Sequence, residues 1–268
     1  MANARMPDEF FDTVAHHLPP EQTVGPKGGR PRVGHRVVVR VSWFVLVTGA
    51  RWEDVPAELG CSGRTAHRRL RAWEEAGIWD RLHADLLAAL KRAGKLDLDT
   101  VVVDGVTVRA FGGGEATGPS PVDRSKFGTK HTVMVDKSGV PLVIRTAGAN
   151  ASDHRQILRV ILDFSPGRRD AGPPQGVARR GVRRPGLRQR AAEGLAAMAG
   201  DRAEQRQVED AARQRAGEGP LCRRADHQLA QRLRRLRVRY DRLGLILDAW
   251  ATLAASVICF RILHHDVM

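Results

Sequence analysis

The sequence predicts an α+β protein, with a helical N-terminal region followed by a strand-rich unit built on a mixed sheet. Three observations carry this. Residues 6–92 place apolar side chains at helical spacing between breaker glycines. Residues 96–164 hold β-branched runs separated by glycine and turn residues. Residues 232–264 return to a long apolar helix after a stretch that can bury little.

In the helical region, "RVGHRVVVRVSWFVLVTG" predicts a buried helix closed by Gly49. In "RWEDVPAELGCSGRTAHRRLRAWEEAGIWDRL", helical spacing puts Trp52, Val55 and Leu59 on one face, and Gly60 ends that helix. Ser62 is a good N-cap for a second helix carrying Leu70 and Trp73 inward. Helix, short glycine-containing turn, helix is the helix-turn-helix pattern. The second helix exposes Arg64, His67, Arg68 and Arg71, residue types that meet phosphates and guanine edges. Residues 51–75 are therefore expected to bind duplex DNA. A basic solvated face on an ordinary bundle would carry the same residues.

In the strand-rich unit, "DTVVVDGVTVRA" predicts a strand that delivers one carboxylate, Asp104, followed by glycine. "FGGGEATGPSP" is a glycine-rich loop. It lacks a Walker lysine-serine ending and opens no helix, so it is a weak phosphate cradle. "GTKHTVMVDKSGVPLVIRTAGA" predicts two strands around a Lys-Ser-Gly turn, with Asp136 at the turn for backbone reasons. "SDHRQILRVILDF" predicts a helix capped by Ser152 and opened by Asp153. Lys126, Lys130 and Arg145 lie on or near these strands and are candidates for DNA backbone contact; strand-edge charge is the plain alternative. Residues 232–264 then give a basic stretch and an apolar helix expected to pack on the sheet.

Residues 165–231 contain no aromatic residue, isoleucine or lysine and are rich in Arg, Ala, Gly and Pro. Such a composition predicts disorder, and a disordered insert this long inside a compact domain counts against an ordinary fold there. It carries 14 Arg against 8 acidic residues, so it supplies +6 of the chain's net charge of +14. The remainder still points to a polyanion, most often nucleic acid. The three cysteines, Cys61, Cys222 and Cys259, show neither metal-ligand spacing nor a disulfide framework. No apolar run suggests a membrane span and no leader pattern opens the chain, so a cytoplasmic, nucleoid-associated protein is expected.

Taken together, "GGRPRVGHR", "LVTGARWEDVP", "VVVDGVTVRA", "KFGTKHTVMVD", "TAGANASDHRQIL" and "LRRLRVRYDRLG" with "DAWATLAASVICFRILHH" resemble bacterial DDE-type insertion-sequence transposases of the insertion sequence five group. The resemblance covers about three quarters of the chain, up to residue 164 and again from 232. It implies a helical DNA-binding region over 6–92 and a ribonuclease-H-like catalytic domain over 96–268. It also implies three carboxylates holding two Mg2+ ions that flank a scissile phosphodiester, one activating the attacking oxygen and the other stabilising the leaving one. Asp104 matches the first carboxylate, as catalytic residue and metal ligand. The implied partner is double-stranded DNA, both transposon terminal repeats and target, bound by a homo-oligomer, with no membrane.

The second and third carboxylates should fall in residues 165–231, where the family's strings Asp-Arg-Gly-Tyr-Asp-Ser and Val-Glu-Arg-Thr-Ile-Ser-Trp-Leu are absent. Yet Arg223 to Ala230 and one base more can be written CGT CGA GCG GAC CAT CAG CTG GCT C. Begun one base later, this reads Val-Glu-Arg-Thr-Ile-Ser-Trp-Leu. The same shift over Val182 to Arg190 permits Ser-Ala-Asp-Arg-Gly-Tyr-Asp-Ser. The segment thus reads as translated out of frame between two compensating indels. The Asp would straddle the codons of Arg184 and Pro185, and the Glu those of Arg224 and Ala225. Three functions follow as alternatives: a transposase, a catalytically dead DNA-binding remnant, and a helix-turn-helix regulator, the last having no need of a strand-borne Asp104.

Overall fold

In a computed structural model of the chain, residues 5–21, 28–29, 31–164 and 233–264 are described. The expectations for residues 165–231, disorder and an out-of-frame reading, lie outside the described residues.

Among the described residues four helices form the N-terminal region: α1 (Asp8–Ala15), α2 (His35–Thr48), α3 (Gly63–Glu75) and α4 (Ile78–Arg92). The expected buried helix is α2, ending at Gly49 in the left-handed conformation. Ser62 caps α3 as expected, its side chain accepting from the Thr65 N–H. Leu70 and Trp73 point inward. The helix expected over Trp52 to Leu59 does not form. Two single-turn 3-10 segments, Trp52–Asp54 and Ala57–Leu59, stand in its place. Pro56 explains this: it has no N–H to donate, and it pushes the preceding Val55 into extended backbone. Trp52, Val55 and Leu59 nevertheless all pack against the core, so the apolar spacing was informative although the helix was not there.

Among the described residues the sheet has four strands: β1 (Val101–Arg109), β2 (Gly118–Pro119), β3 (Phe127–Asp136) and β4 (Pro141–Gly148). β3 lies between β1 on one side and β4 and β2 on the other, and every pairing in the sheet is antiparallel. A mixed sheet was expected; among the described residues the sheet is antiparallel throughout. β1 pairs only with β3 within the described sheet. The hairpin turn is where the sequence put it, with Asp136 buried and accepting the Val140 and Asp97 N–H groups.

One face of the sheet carries α5 (Asp153–Phe164), tied down by Lys130 to Asp153 and by Arg145 to Asp163. The other carries α6 (Gly244–His264), whose Asp248 accepts from Thr146. Buried residues surround α6 on every side, as in a helix enclosed by core. By length and composition α6 could cross a membrane, contrary to the sequence reading, but 72% of its apolar window is buried inside the fold. It packs against α3, α4 and β4. Through it the helices and the sheet share one core, in which Phe10 of α1 meets Phe260 of α6 at 5.2 Å.

The glycine-rich loop has a structural role. A Cβ on Gly114 would sit 2.3 Å from the Arg242 carbonyl oxygen, so only glycine fits there. Glu115 next to it accepts the Gly244 N–H at the start of α6. The loop is a strap across the head of the core helix.

Candidate nucleic-acid interface and carboxylate site

Helix α3 is the candidate DNA-facing element. Arg64, Arg68 and Arg71 are exposed along it. Arg71 is paired with Glu75 one turn on, at 2.9 Å. His67 is less available than the sequence suggested, because its ring packs edge-on against Trp52 at 5.2 Å. Lys126 is exposed in the loop before β3. Lys130 is different. It is buried beneath α5, with Nζ donating to Asp153 Oδ1 at 2.6 Å and to the Ala151 carbonyl at 3.0 Å. An amine held that way does not meet a DNA backbone, so its reading as a backbone contact is corrected to a strut between sheet and helix. Arg145 is likewise spoken for by Asp163 at 2.6 Å.

The 3-10 segment is clamped to α3 and to the C-terminal part by a buried hub that sequence reading missed. Asp241 accepts from Arg235 Nη2 at 2.8 Å, Trp52 Nε1 at 3.2 Å and Trp250 Nε1 at 3.1 Å. Trp52 stacks on Trp250 at 5.4 Å. Gly63 opens α3 so close to this plug that a Cβ there would lie 1.8 Å from the Trp52 carbonyl oxygen. Arg239, also buried, donates to Thr129 Oγ1 at 2.7 Å and to three backbone carbonyls. The basic stretch "RLRRLRVRYDRLG" is thus partly internal wiring. Beneath Arg239, burial and that neighbouring charge hold His131 down to about 4, so it is neutral at ordinary pH.

Asp104 lies on β1 opposite Val133. Its Oδ1 accepts the Gly105 N–H at 2.7 Å. Pairing and strand alternation put it on the α6 side of the sheet, in line with Ile144 of β4 and two residues from the row holding His131 and Thr146. Lys130 and Asp153 approach Gly105 on the opposite face. Among the described residues no group of three His, Cys, Asp or Glu side chains is arranged to hold a metal ion. Among the described residues, then, Asp104 has no carboxylate set of the kind a two-magnesium site needs on both sides of the ion pair.

A second set of acids lies elsewhere, at the junction of α3 and α4. Glu74 is half-buried, and burial, then Asp80 and Asp248, push it up to about 8. Its Oε2 is enclosed without a hydrogen-bond partner among the described residues. A carboxyl with a raised folded-state pKa holds its proton in the fold. Its stabilising contribution is complete below about 4.5 and is lost as pH rises from there toward 8. Glu74→Gln should therefore flatten the fall in stability between about pH 5 and pH 9, and should gain on the wild type by about 1–2 kcal/mol at the alkaline end, discounted for partial exposure. Urea midpoints at the two pH values check this. Parallel curves for the two proteins would contradict it.

Comparison with known proteins bears on about half of the chain. Residues 6–83 match a family model described as "Putative transposase of IS4/5 family". The chain is 44% identical over 123 residues to the "Insertion element IS402 uncharacterized 16.2 kDa protein" of Burkholderia cepacia, covering 45% of this chain and 84% of that one. It is 31% identical over 157 residues to the "Putative transposase for insertion sequence element IS402" of the same organism, covering 55% of this chain and 70% of that protein. The chain belongs to the insertion-sequence transposases. A third relative, "Uncharacterized protein y4sN" of Sinorhizobium fredii, is 36% identical over 87 residues, covering 32% of this transposase and 64% of that chain. No solved structure matches the transposase. The family model ends within α4, so it takes in α1 to α3, both 3-10 segments and the start of α4, and stops short of Asp104.

Proposed function

We propose that this transposase binds transposon-end DNA through the exposed face of α3, and that the metal-dependent strand cleavage and transfer of its family is lost in the chain as translated. The observation that carries the second half is Asp104. It stands on a strand as the resemblance requires, yet the strings that would carry its two partner carboxylates are absent from the written sequence of residues 165–231. Two surfaces support a missing piece. Within the described sheet β1 pairs on one side only, and Val101 on it is 40% exposed. Helix α5 leaves Ile157, Leu158, Ile161 and Leu162 substantially exposed, an apolar face that a folded neighbour would be expected to cover. The in-frame reading of residues 165–231 would supply the aromatic and isoleucine residues, the Asp and the Glu that the written segment lacks. Reading the gene's nucleotides tests this directly. Codons that give no Asp across positions 184–185 and no Glu across 224–225 in the shifted frame would end the proposal.

DNA binding rests on α3. Arg64 and Arg68 are exposed on one helix that the core holds from behind through Leu70 and Trp73. Contacts of this kind are to phosphate, so affinity should fall steeply with salt. Arg64→Ala and Arg68→Ala should each weaken duplex binding and reduce the slope of log K against log salt by about 1. Unchanged affinity and slope in both variants would move the interface elsewhere.

A further inference from the structure

A cavity of about 350 Å³ opens between α3, the start of α4 and residues 17–21 and 32–35. Its lining is strongly one-signed. Among the described residues, Arg32, Arg69 and Arg81 line it with His17 and His35, against one lining carboxylate, Glu21, while Asp85 stands behind His17 at 3.4 Å from its Nε2. Glu21 is already engaged, its Oε1 accepting the His35 N–H at 2.6 Å. Arg81 spends one N–H on the Ala76 carbonyl at 2.9 Å, which anchors the guanidinium at the edge of the cavity. Arg69 stacks over the Trp73 ring at 5.3 Å, and its Nε is enclosed without a hydrogen-bond partner among the described residues.

Cations gathered this way repel. Arg69 is held below the ordinary arginine range first by burial, then by Arg32 and Arg68, with Glu21 partly offsetting. Burial also lowers both histidines, against Asp85 at His17 and Glu21 at His35, so the imidazoles add little charge at neutral pH. A compact oxyanion would relieve the repulsion and take the unused donors, because guanidinium groups arriving from different elements suit a phosphate better than a flat carboxylate. Arg68, the neighbour of Arg69 on α3, is exposed in the DNA-facing row. The cavity and that row therefore lie on adjoining faces of one helix.

We propose that this cavity is a phosphate-binding site that seats one backbone phosphate of the DNA read by α3. The proposal rests on the reading of α3 as the DNA-binding helix. Its occupant could also be free phosphate, so the test has two arms. The full chain is titrated calorimetrically with inorganic phosphate against chloride at constant ionic strength, and separately with a duplex over a range of salt. Arg69→Gln and Arg81→Gln, on different helices, should each abolish the phosphate signal, weaken duplex binding several-fold and flatten the salt slope by about 1, while Arg69→Lys should keep a reduced phosphate signal. Arg64→Ala should weaken duplex binding and leave the phosphate signal intact. Absence of a phosphate signal in the wild type, or its persistence in Arg69→Gln and Arg81→Gln, overturns the site whatever the duplex does. A phosphate signal lost in those variants with an unchanged duplex slope overturns the backbone assignment and leaves a free-phosphate site. A wild-type chain that binds phosphate but no duplex refutes the reading of α3 instead.

Discussion

Asp241→Ala is expected to be the most destabilising single substitution away from the apolar core. Asp241 and Arg235 are almost wholly buried and pair at 2.8 Å, and the same carboxylate takes both indole N–H groups of Trp52 and Trp250. Removing the carboxylate leaves Arg235 charged and enclosed, and orphans two further donors. Breaking a buried pair from one side costs about 3–5 kcal/mol. For a fold of this size that is a fall in melting temperature of roughly 6–20 °C. The exposed pair of Asp12 with Arg36, at 3.1 Å, provides the contrast: Asp12→Ala should cost less than about 1 kcal/mol. Thermal or urea unfolding of both variants decides it. An Asp241→Ala protein as stable as Asp12→Ala would mean that water reaches the hub and that the 3-10 segment is held by apolar stacking alone. Because the hub joins Trp52, just ahead of α3, to α6, Asp241→Ala should also loosen DNA binding without touching a DNA-facing side chain.

The elements that were legible in the sequence are those whose signals are local. Helices α2, α3 and α6 show unbroken apolar patterns with glycine or serine at their ends, and the β3–β4 hairpin carries its Lys-Ser-Gly turn and Asp136. The helix expected over Trp52–Leu59 failed for a local reason too: Pro56 outweighed the apolar spacing. Long-range facts were not legible. Alternation along β3 puts Lys130 on one face and His131 on the other, but nothing in the string says that α5 covers the first. Arg235, Arg239 and Asp241 look like a solvated basic stretch with one acid in it, because their partners Trp52, Thr129 and Ala116 lie more than a hundred residues away. The cavity beside Arg69 was invisible for the same reason. At the candidate catalytic site, Asp104 was found by its β-branched run, whereas its placement on a strand paired on one side needed the sheet.

Restoring the reading frame between about residue 165 and residue 231 is expected to have the largest effect on activity. As translated, Arg184 and Arg224 occupy the codons where the Asp and Glu would begin, and arginine both fails to ligate a cation and repels it. The frame-restored protein would regain both carboxylates. Loss of one essential ligand group in a concerted site removes nearly all of the rate, since such residues act as a unit. The decisive measurement compares the two proteins on a supercoiled donor plasmid carrying the element's ends, with magnesium or manganese, each also as Asp104→Ala. The account predicts end cleavage by the frame-restored protein alone, abolished by Asp104→Ala. Equal cleavage by the chain as translated, also abolished by Asp104→Ala, would contradict it, because the partners of Asp104 would then already be present in this chain.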